Sequence, residues 1–246
     1  ACRKKEFEMS FPQTIMGKWG WEQVTTTAKK HKLGSIMQIA NTFYIYASTG
    51  EAVLAGQLME SAGIIAAEND DLAVATTAAG ATAVTVTMGA AVDLNEYADS
   101  FMYVNAGGGA GAGFRYRVKS HPAGTAIAVT LDHEDGLITA LTNGTDVVGF
   151  AKPTSSGVLQ SNTTSVGACV GVTMNDIASG SYGWLQFNGP GVCLIQGTPG
   201  AGLGLMRSNG TAGAVELADG SLQDIGALGR TAGVDGEYHE VLLNIT

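Results

Sequence analysis

Charged side chains are scarce in this sequence. Lys, Arg, Asp and Glu make up 14% of it, against roughly 25% in an average soluble chain. A chain this poor in charge either buries much of its outside against other subunits or keeps it wet with Ser, Thr, Asn and Gln. Cysteine is scarce too. Cys2, Cys169 and Cys193 are an odd number without metal-ligand spacing, which argues against a disulfide framework or a zinc site. No stretch approaches the roughly 18 apolar residues of a membrane span. The softest segment, residues 72–92, is mostly Ala, Thr and Val with Gly80 and Gly89 in it, and reads as strand. The Lys/Arg-rich start lacks a following apolar core of a secretory signal. The expectation is a soluble protein made in a reducing compartment, with free thiols and no membrane partner. Asn143, Asn162, Asn209 and Asn244 then read as turn residues rather than glycosylation sites.

Catalytic motifs are missing as well. His31, His121, His133 and His239 are scattered, and Gly180-Ser181-Tyr182-Gly183 lacks the spacing of a nucleophile elbow. The densest acidic cluster, Asp132-His133-Glu134-Asp135, is followed at once by Gly136. An EF-hand needs alternating oxygens over twelve residues, so a solvated turn is the better reading and no metal site is assigned. The glycines at 107–109, 111 and 113 lead into Phe114-Arg115-Tyr116-Arg117, which alternates as a strand. A dinucleotide fingerprint must open a helix, and no P-loop Lys-Ser/Thr follows. The sequence therefore points away from an enzyme and calls for no cofactor.

What the chain does have is glycine, 35 of 246 residues, alongside 45% hydrophobic residues. No Gly-X-Y period runs through it, so the excess belongs to turns and bulges. Between Tyr182 and Thr246, short apolar runs are cut by Asn188-Gly189-Pro190-Gly191, Thr198-Pro199-Gly200, Ser208-Asn209-Gly210, Asp219-Gly220 and Asp235-Gly236. These residues tolerate positive φ or fix turns. Ala83-Val84-Thr85-Val86-Thr87-Met88 alternates cleanly as a strand. Strands are also expected at 35–39, 43–46, 53–58, 101–105, 114–119, 126–131 and 137–141, with a single helical turn at 94–98. The fold class is all-β: a Gly-rich β-barrel or sandwich with an inserted second β unit and an extended N-terminal arm. The arm is residues 1–32, the barrel or sandwich takes 33–71 with 156–246, and the insert is 72–155. Residues 55–61 echo residues 201–208 with one extra residue, which fits an internal duplication, two matching edges of one barrel, or chance similarity in a Gly/Ala-rich chain.

Charge is unevenly placed. Residues 1–50 carry seven Lys/Arg and three acids, and the remainder six and nineteen. An acidic body argues against nucleic acid as a partner, while the basic front suits an acidic docking partner. Phe7, Phe11, Trp19 and Trp21 are candidate anchors on that front, with Arg3, Lys4 and Lys5 as steering charges. Arg115, Arg117 and Lys119 share one strand face by period two and form the one basic stripe of the body. It is either an interface or an exposed face with acidic neighbours.

Several segments, taken together in order, resemble β-rich virion proteins of tailed bacteriophages, the head proteins that decorate or cement the capsid. They are Phe43-Tyr44-Ile45-Tyr46-Ala47 with Leu54-Ala55-Gly56-Gln57-Leu58, Val84-Thr85-Val86-Thr87-Met88-Gly89 with Glu96-Tyr97-Ala98, Tyr103-Val104-Asn105, and Tyr116-Arg117-Val118-Lys119-Ser120-His121-Pro122. Gly180-Ser181-Tyr182-Gly183-Trp184-Leu185-Gln186, Gly189-Pro190-Gly191-Val192, Thr211-Ala212-Gly213-Ala214-Val215 and Val241-Leu242-Leu243-Asn244-Ile245 complete the set. They span most of the chain after residue 40 and leave the arm outside. The resemblance implies a non-enzymatic structural protein on the capsid exterior, made in the host bacterial cytoplasm. Its partners would be the major capsid protein and its own copies, as a homotrimer at three-fold positions. The alternatives are a tail or spike component that recognises a host glycan, and a glycan-active or lectin-like enzyme for which Asp132, Glu134 and Asp135 are the dense carboxylate candidates.

Overall fold

The structure, a computed structural model, describes residues 14–63, 70–106, 111–164, 167–220 and 223–245. The fold is all-β, with 47% of residues in strands and 1% helical. The chain divides into two compact units, residues 1–62 with 154–246, and residues 63–153. Before the insert come β1 (Thr14–Met16), β2 (Ile36–Ile39), β3 (Thr42–Ser48) and β4 (Leu58–Glu60). Within it are β5 (Leu72–Val74), β6 (Ala83–Val92), β7 (Phe101–Ala106), β8 (Arg115–Ser120), β9 (Gly124–Leu131) and β10 (Val147–Ala151). After it follow β11 (Leu159–Gln160), β12 (Cys169–Thr173), β13 (Tyr182–Leu194), β14 (Gly204–Arg207), β15 (Val215–Leu217), β16 (Asp224–Leu228) and β17 (Tyr238–Asn244).

The inserted unit is a closed antiparallel barrel, β10-β5-β6-β9-β8-β7, with β7 pairing back onto β10. Period-two alternation fills it. Val84, Val86 and Met88 point inward from β6, Ile127, Val129 and Leu131 from β9, and Tyr116 and Val118 from β8. The closed barrel is the insert, and the flanking segments form a separate sheet, consistent with the all-β barrel or sandwich expected. The 137–141 run is not a strand. Leu137 and Leu141 are buried among the barrel residues, and only Leu141 makes a bridge, to Thr77. Residues 94–98 form successive turns rather than a helical turn, because Asn95 and Asp99 take positive φ.

The flanking unit is an eleven-stranded sheet, and it is built twice. β11-β4-β12-β13 and β15-β14-β16-β17 pair in the same order, and the two sets join where β13 pairs β17. The hydrogen bonds repeat one for one. Gly56 N–H donates to Thr173 O at 2.9 Å and Gly202 N–H to Leu228 O at 3.2 Å; Thr173 N–H donates to Gln57 O and Leu228 N–H to Leu203 O. Thr49 N–H reaches Ser181 O as Ile195 N–H reaches Glu237 O, both at 2.9 Å. Gly171 and Gly226 hold equivalent places, and a Cβ on either would collide with the carbonyl of Gln186 or Leu242, so backbone approach requires glycine at both.

The repeat is thus a duplication, and its register differs from the echo seen in sequence. Ser161 N–H donates to Leu58 O as Ala218 N–H donates to Gly204 O, so Leu58 matches Gly204, with no extra residue between the copies up to that point. The insert lies between β4 and β11, where the second copy has only the short β14–β15 connection.

Two expected boundaries also move. The 53–58 run is interrupted at Gly56 (φ 75°), which leaves Val53 as an isolated bridge to Ile177. Asn188-Gly189-Pro190-Gly191 does not end a strand. β13 runs through it, with a bulge between Gln186 and Asn188 and Gly189 at φ 93°. Pro190 is tolerated because hydrogen-bonded pairs alternate along β13 and β17. Ile195 bonds opposite Glu237, so the Pro190–Leu242 pair falls at a non-bonded position where no N–H is needed.

One buried ion pair crosses this duplicated unit. Arg207 Nη1 lies 2.8 Å from Glu60 Oε2, and both side chains are 1% exposed. Arg207 also donates to the carbonyls of Asn162 and Gly167, and Glu60 Oε1 accepts from Asn162 N–H at 3.3 Å. Removing one partner leaves a buried charge, which costs about 3–5 kcal/mol. Arg207→Met should therefore lower the flanking unit's melting transition sharply, while Glu60→Leu with Arg207→Met should recover most of the loss. Differential scanning calorimetry of both variants checks this; equal loss in the double variant would contradict it.

Candidate functional site

The described part of the N-terminal arm runs along the flanking sheet, extended except for a single 3-10 turn at Trp21–Gln23. β1 pairs parallel with β2, and Gly17 N–H donates to Gln38 O. Further on, Thr26 and Tyr182 exchange both backbone hydrogen bonds, at 2.9 and 2.8 Å. Lys30 N–H donates to the Tyr46 hydroxyl, and the His31 ring sits 5.1 Å from Tyr46 and 5.3 Å from Trp184. Under this cover Tyr46 and Trp184 are buried in a cluster with Met37, Ile39 and Tyr44.

Between the two attachments the arm presents apolar surface. Trp19 is 70% exposed and Trp21 46%, on either side of Gly20 at φ 95°, with Met16 and Val24 exposed beside them. Exposed aromatic side chains of this kind are enriched among the anchors of protein interfaces. Trp19 and Trp21 are thus found together and open. Arg3, Lys4, Lys5, Phe7 and Phe11 lie outside the described residues.

The basic stripe is where its period placed it. Tyr116 and Val118 enter the barrel, and Arg115, Arg117 and Lys119 face out. Most of its charge is answered nearby. The Arg115 guanidinium lies over the Phe101 ring at 4.9 Å, and Arg117 is 3.6 Å from Asp99 and 4.0 Å from Asp132. Lys119 is exposed at the end of the row.

The chemical candidates resolve into structure. Asp132, His133, Glu134 and Asp135 are exposed around a tight turn in which Gly136 N–H donates to His133 O. Gly136 takes φ 64°, and a Cβ there would strike the Ala81 and Gly80 carbonyls. The glycine run leads through a turn at residues 111–113 into β8, a strand. Among the described residues, no three His, Cys, Asp or Glu groups lie together as a metal site, and no helix is long and apolar enough to cross a membrane. Buried His121 is structural. Its Nε2 accepts from Tyr97 N–H at 2.9 Å, so Nδ1–H donates to Pro122 O at 2.8 Å.

Sequence reasoning missed an open cavity on the flanking unit. A cavity of about 420 Å³ is lined by Leu54, Gly56, Met174, Asp176, Val192 and Tyr238, among others. Leu54, Val192 and Tyr238 are each about half exposed. The signal available in sequence was the duplication itself, but the copies had to be aligned in the right register first. No family model, curated protein or solved structure matches this chain.

Three ionisation states are set by burial and close partners. Burial pushes the Cys169 thiol up to about 11 and the Cys193 thiol up to about 12. Both should stay unlabelled by iodoacetamide at pH 8 in the native protein and label after denaturation, as read by peptide mass mapping. On the barrel, burial opposes ionisation of Glu96. The hydrogen bond and charge of Lys152, 2.7 Å away, together with the hydrogen bond from Asp93 N–H and the nearby His121, outweigh it and hold the carboxyl below its ordinary range. A depressed carboxylate stabilises above its unfolded pKa and loses that stabilisation as pH falls through the folded one. Glu96→Gln should cost up to about 1 kcal/mol at neutral pH. Paired thermal melts across pH should show the difference fading below about pH 4.

Proposed function

We propose that this chain is a non-enzymatic structural protein of a tailed-bacteriophage virion that binds the outer face of the capsid and stabilises it as a homotrimer. The observation that carries the reading is the arm. A basic segment is stitched to the sheet at both ends and holds Trp19 and Trp21 in water between the attachments. Such a segment gains by burying about 150–250 Å² per aromatic side chain against a partner. The scarcity of charge supports extensive subunit contact, since stable interfaces bury upwards of roughly 1,200 Å². The all-β architecture, with its duplicated sheet and separate barrel, gives a capsid-bound protein two independent folded surfaces. The resemblance in ordered segments after residue 40 points to the same class.

Phage heads stripped of accessory proteins, mixed with the purified chain and sedimented, provide the test. The native chain should co-sediment and raise the heads' melting temperature. Trp19→Ala with Trp21→Ala should weaken binding by roughly 700-fold, as loss of two anchors of roughly 2 kcal/mol each would, with the melting curve of the free chain unchanged. Normal binding by that variant would refute the arm's role, and no binding by the native chain would refute the capsid reading.

A further inference from the structure

The duplication shows what ought to cover the cavity at Tyr238. In the register fixed by the repeated hydrogen bonds, Tyr182 matches Tyr238, because Ser181 and Glu237 accept the equivalent bonds from Thr49 and Ile195. Tyr46 matches Val192 by the same pairing: Ser48 lies opposite Tyr182 as Leu194 lies opposite Tyr238. In the first copy this surface is covered. Thr26 adds an extended segment along Tyr182, and Lys30 and His31 close over Tyr46, which is 2% exposed. In the second copy the same surface is open, with Val192 51% and Tyr238 48% exposed.

The backbone of the second copy is also prepared. Ile195 and Glu237 form a hydrogen-bonded pair, so the next pair, Leu194–Tyr238, is non-bonded and the Tyr238 N–H and C=O point away from β13. β16 pairs with β17 only at Val241, Leu242 and Leu243, leaving the β17 edge at Tyr238 beyond its reach. An open strand edge beside an apolar groove takes an added strand.

We infer that the β17 edge at Tyr238, with the groove of Leu54 and Val192, receives residues 1–13 of a second copy of this chain. That segment carries the residue types of the first-copy cover: bases at Arg3, Lys4 and Lys5, and rings at Phe7 and Phe11. The groove is acidic at its rim, through Asp176 beside Leu54 and Glu237 beside Tyr238, so the charges are complementary. Reach favours a second copy over the chain's own segment. Thr14 is in register with Ile36, Ile45 and Leu185, three strand spacings away, or about 14 Å. From Leu185 to Leu194, β13 runs on for about 30 Å. Phe11 extends at most about 10 Å from Thr14 and Phe7 about 25 Å. The contact is heterologous, one surface receiving a different one, and such a contact builds a ring of copies when the rotation between them closes. It rests on the self-association in the function proposed above and makes no use of the capsid.

The test is made on the full chain without phage heads. Leu54→p-benzoylphenylalanine places a photocrosslinker in the groove. Irradiation should give covalent oligomers whose crosslinked peptides map to residues 1–13. Tyr238→Pro, which removes the outward N–H and leaves the non-bonded Leu194 pair as it is, should lower the yield about tenfold with an unchanged circular dichroism spectrum. Crosslinks confined to single chains, crosslinks mapping to other segments, or no crosslinks would each overturn the inference. Because capsid binding is read separately by sedimentation with heads, either idea fails without the other.

Discussion

The buried contact between Glu60 and Arg207 is the constraint on which the flanking unit depends. Glu60 ends the last strand before the insert, and Arg207 lies in β14 of the second copy. Their pairing ties together chain segments that the insert and three further strands separate in sequence. Asn162 and Gly167, which follow the insert, supply the carbonyls and N–H that complete the site. A charge pair this deep adds little net energy over an apolar core. What it contributes is discrimination, because a misregistered β4 or β14 would bury one charge without the other.

From that constraint follows a division of labour. The duplicated sheet is asymmetric in its surroundings though symmetric in its bonds. The first copy carries the insert between β4 and β11 and the arm over Tyr46 and Trp184. The second copy carries neither, and it is there that Val192, Tyr238, Leu242 and Leu217 stand in water. Large apolar side chains stand exposed on the braced arm and on the uncovered copy, and others at Leu54 and, on the barrel, at Leu94 and Ile138. Buried hydrogen bonds, solvated turns and in-chain ion pairs account for the groups that first looked chemical.

Much of this was legible in sequence where one periodicity ruled. Ala83 to Met88 alternates because one face of β6 fills the barrel, and Arg115, Arg117 and Lys119 face out by the same rule. Gly136 could be read as a turn because the residues around it are those that turns use. The joins between elements were harder. Asn188-Gly189-Pro190-Gly191 has every mark of a turn, yet the chain stays extended, since a bulge and a non-bonded pairing position accommodate it. The duplication was visible as an echo between residues 55–61 and 201–208, but similarity of Leu-Met pairs suggested a one-residue insertion that the hydrogen bonds do not contain. The groove at Tyr238 was out of reach for the same reason. It is defined by what covers the matching surface in the other copy, and only the backbone pairing identifies the match.

The central claim, a chain whose uncovered surfaces are completed by its own copies, is tested most directly by sedimentation equilibrium of the purified full-length chain over a wide concentration range. The account predicts the mass of three chains, held down to low micromolar concentration and dissociating as salt weakens the contact between the basic arm and the acidic groove. A monomer at every concentration would contradict it.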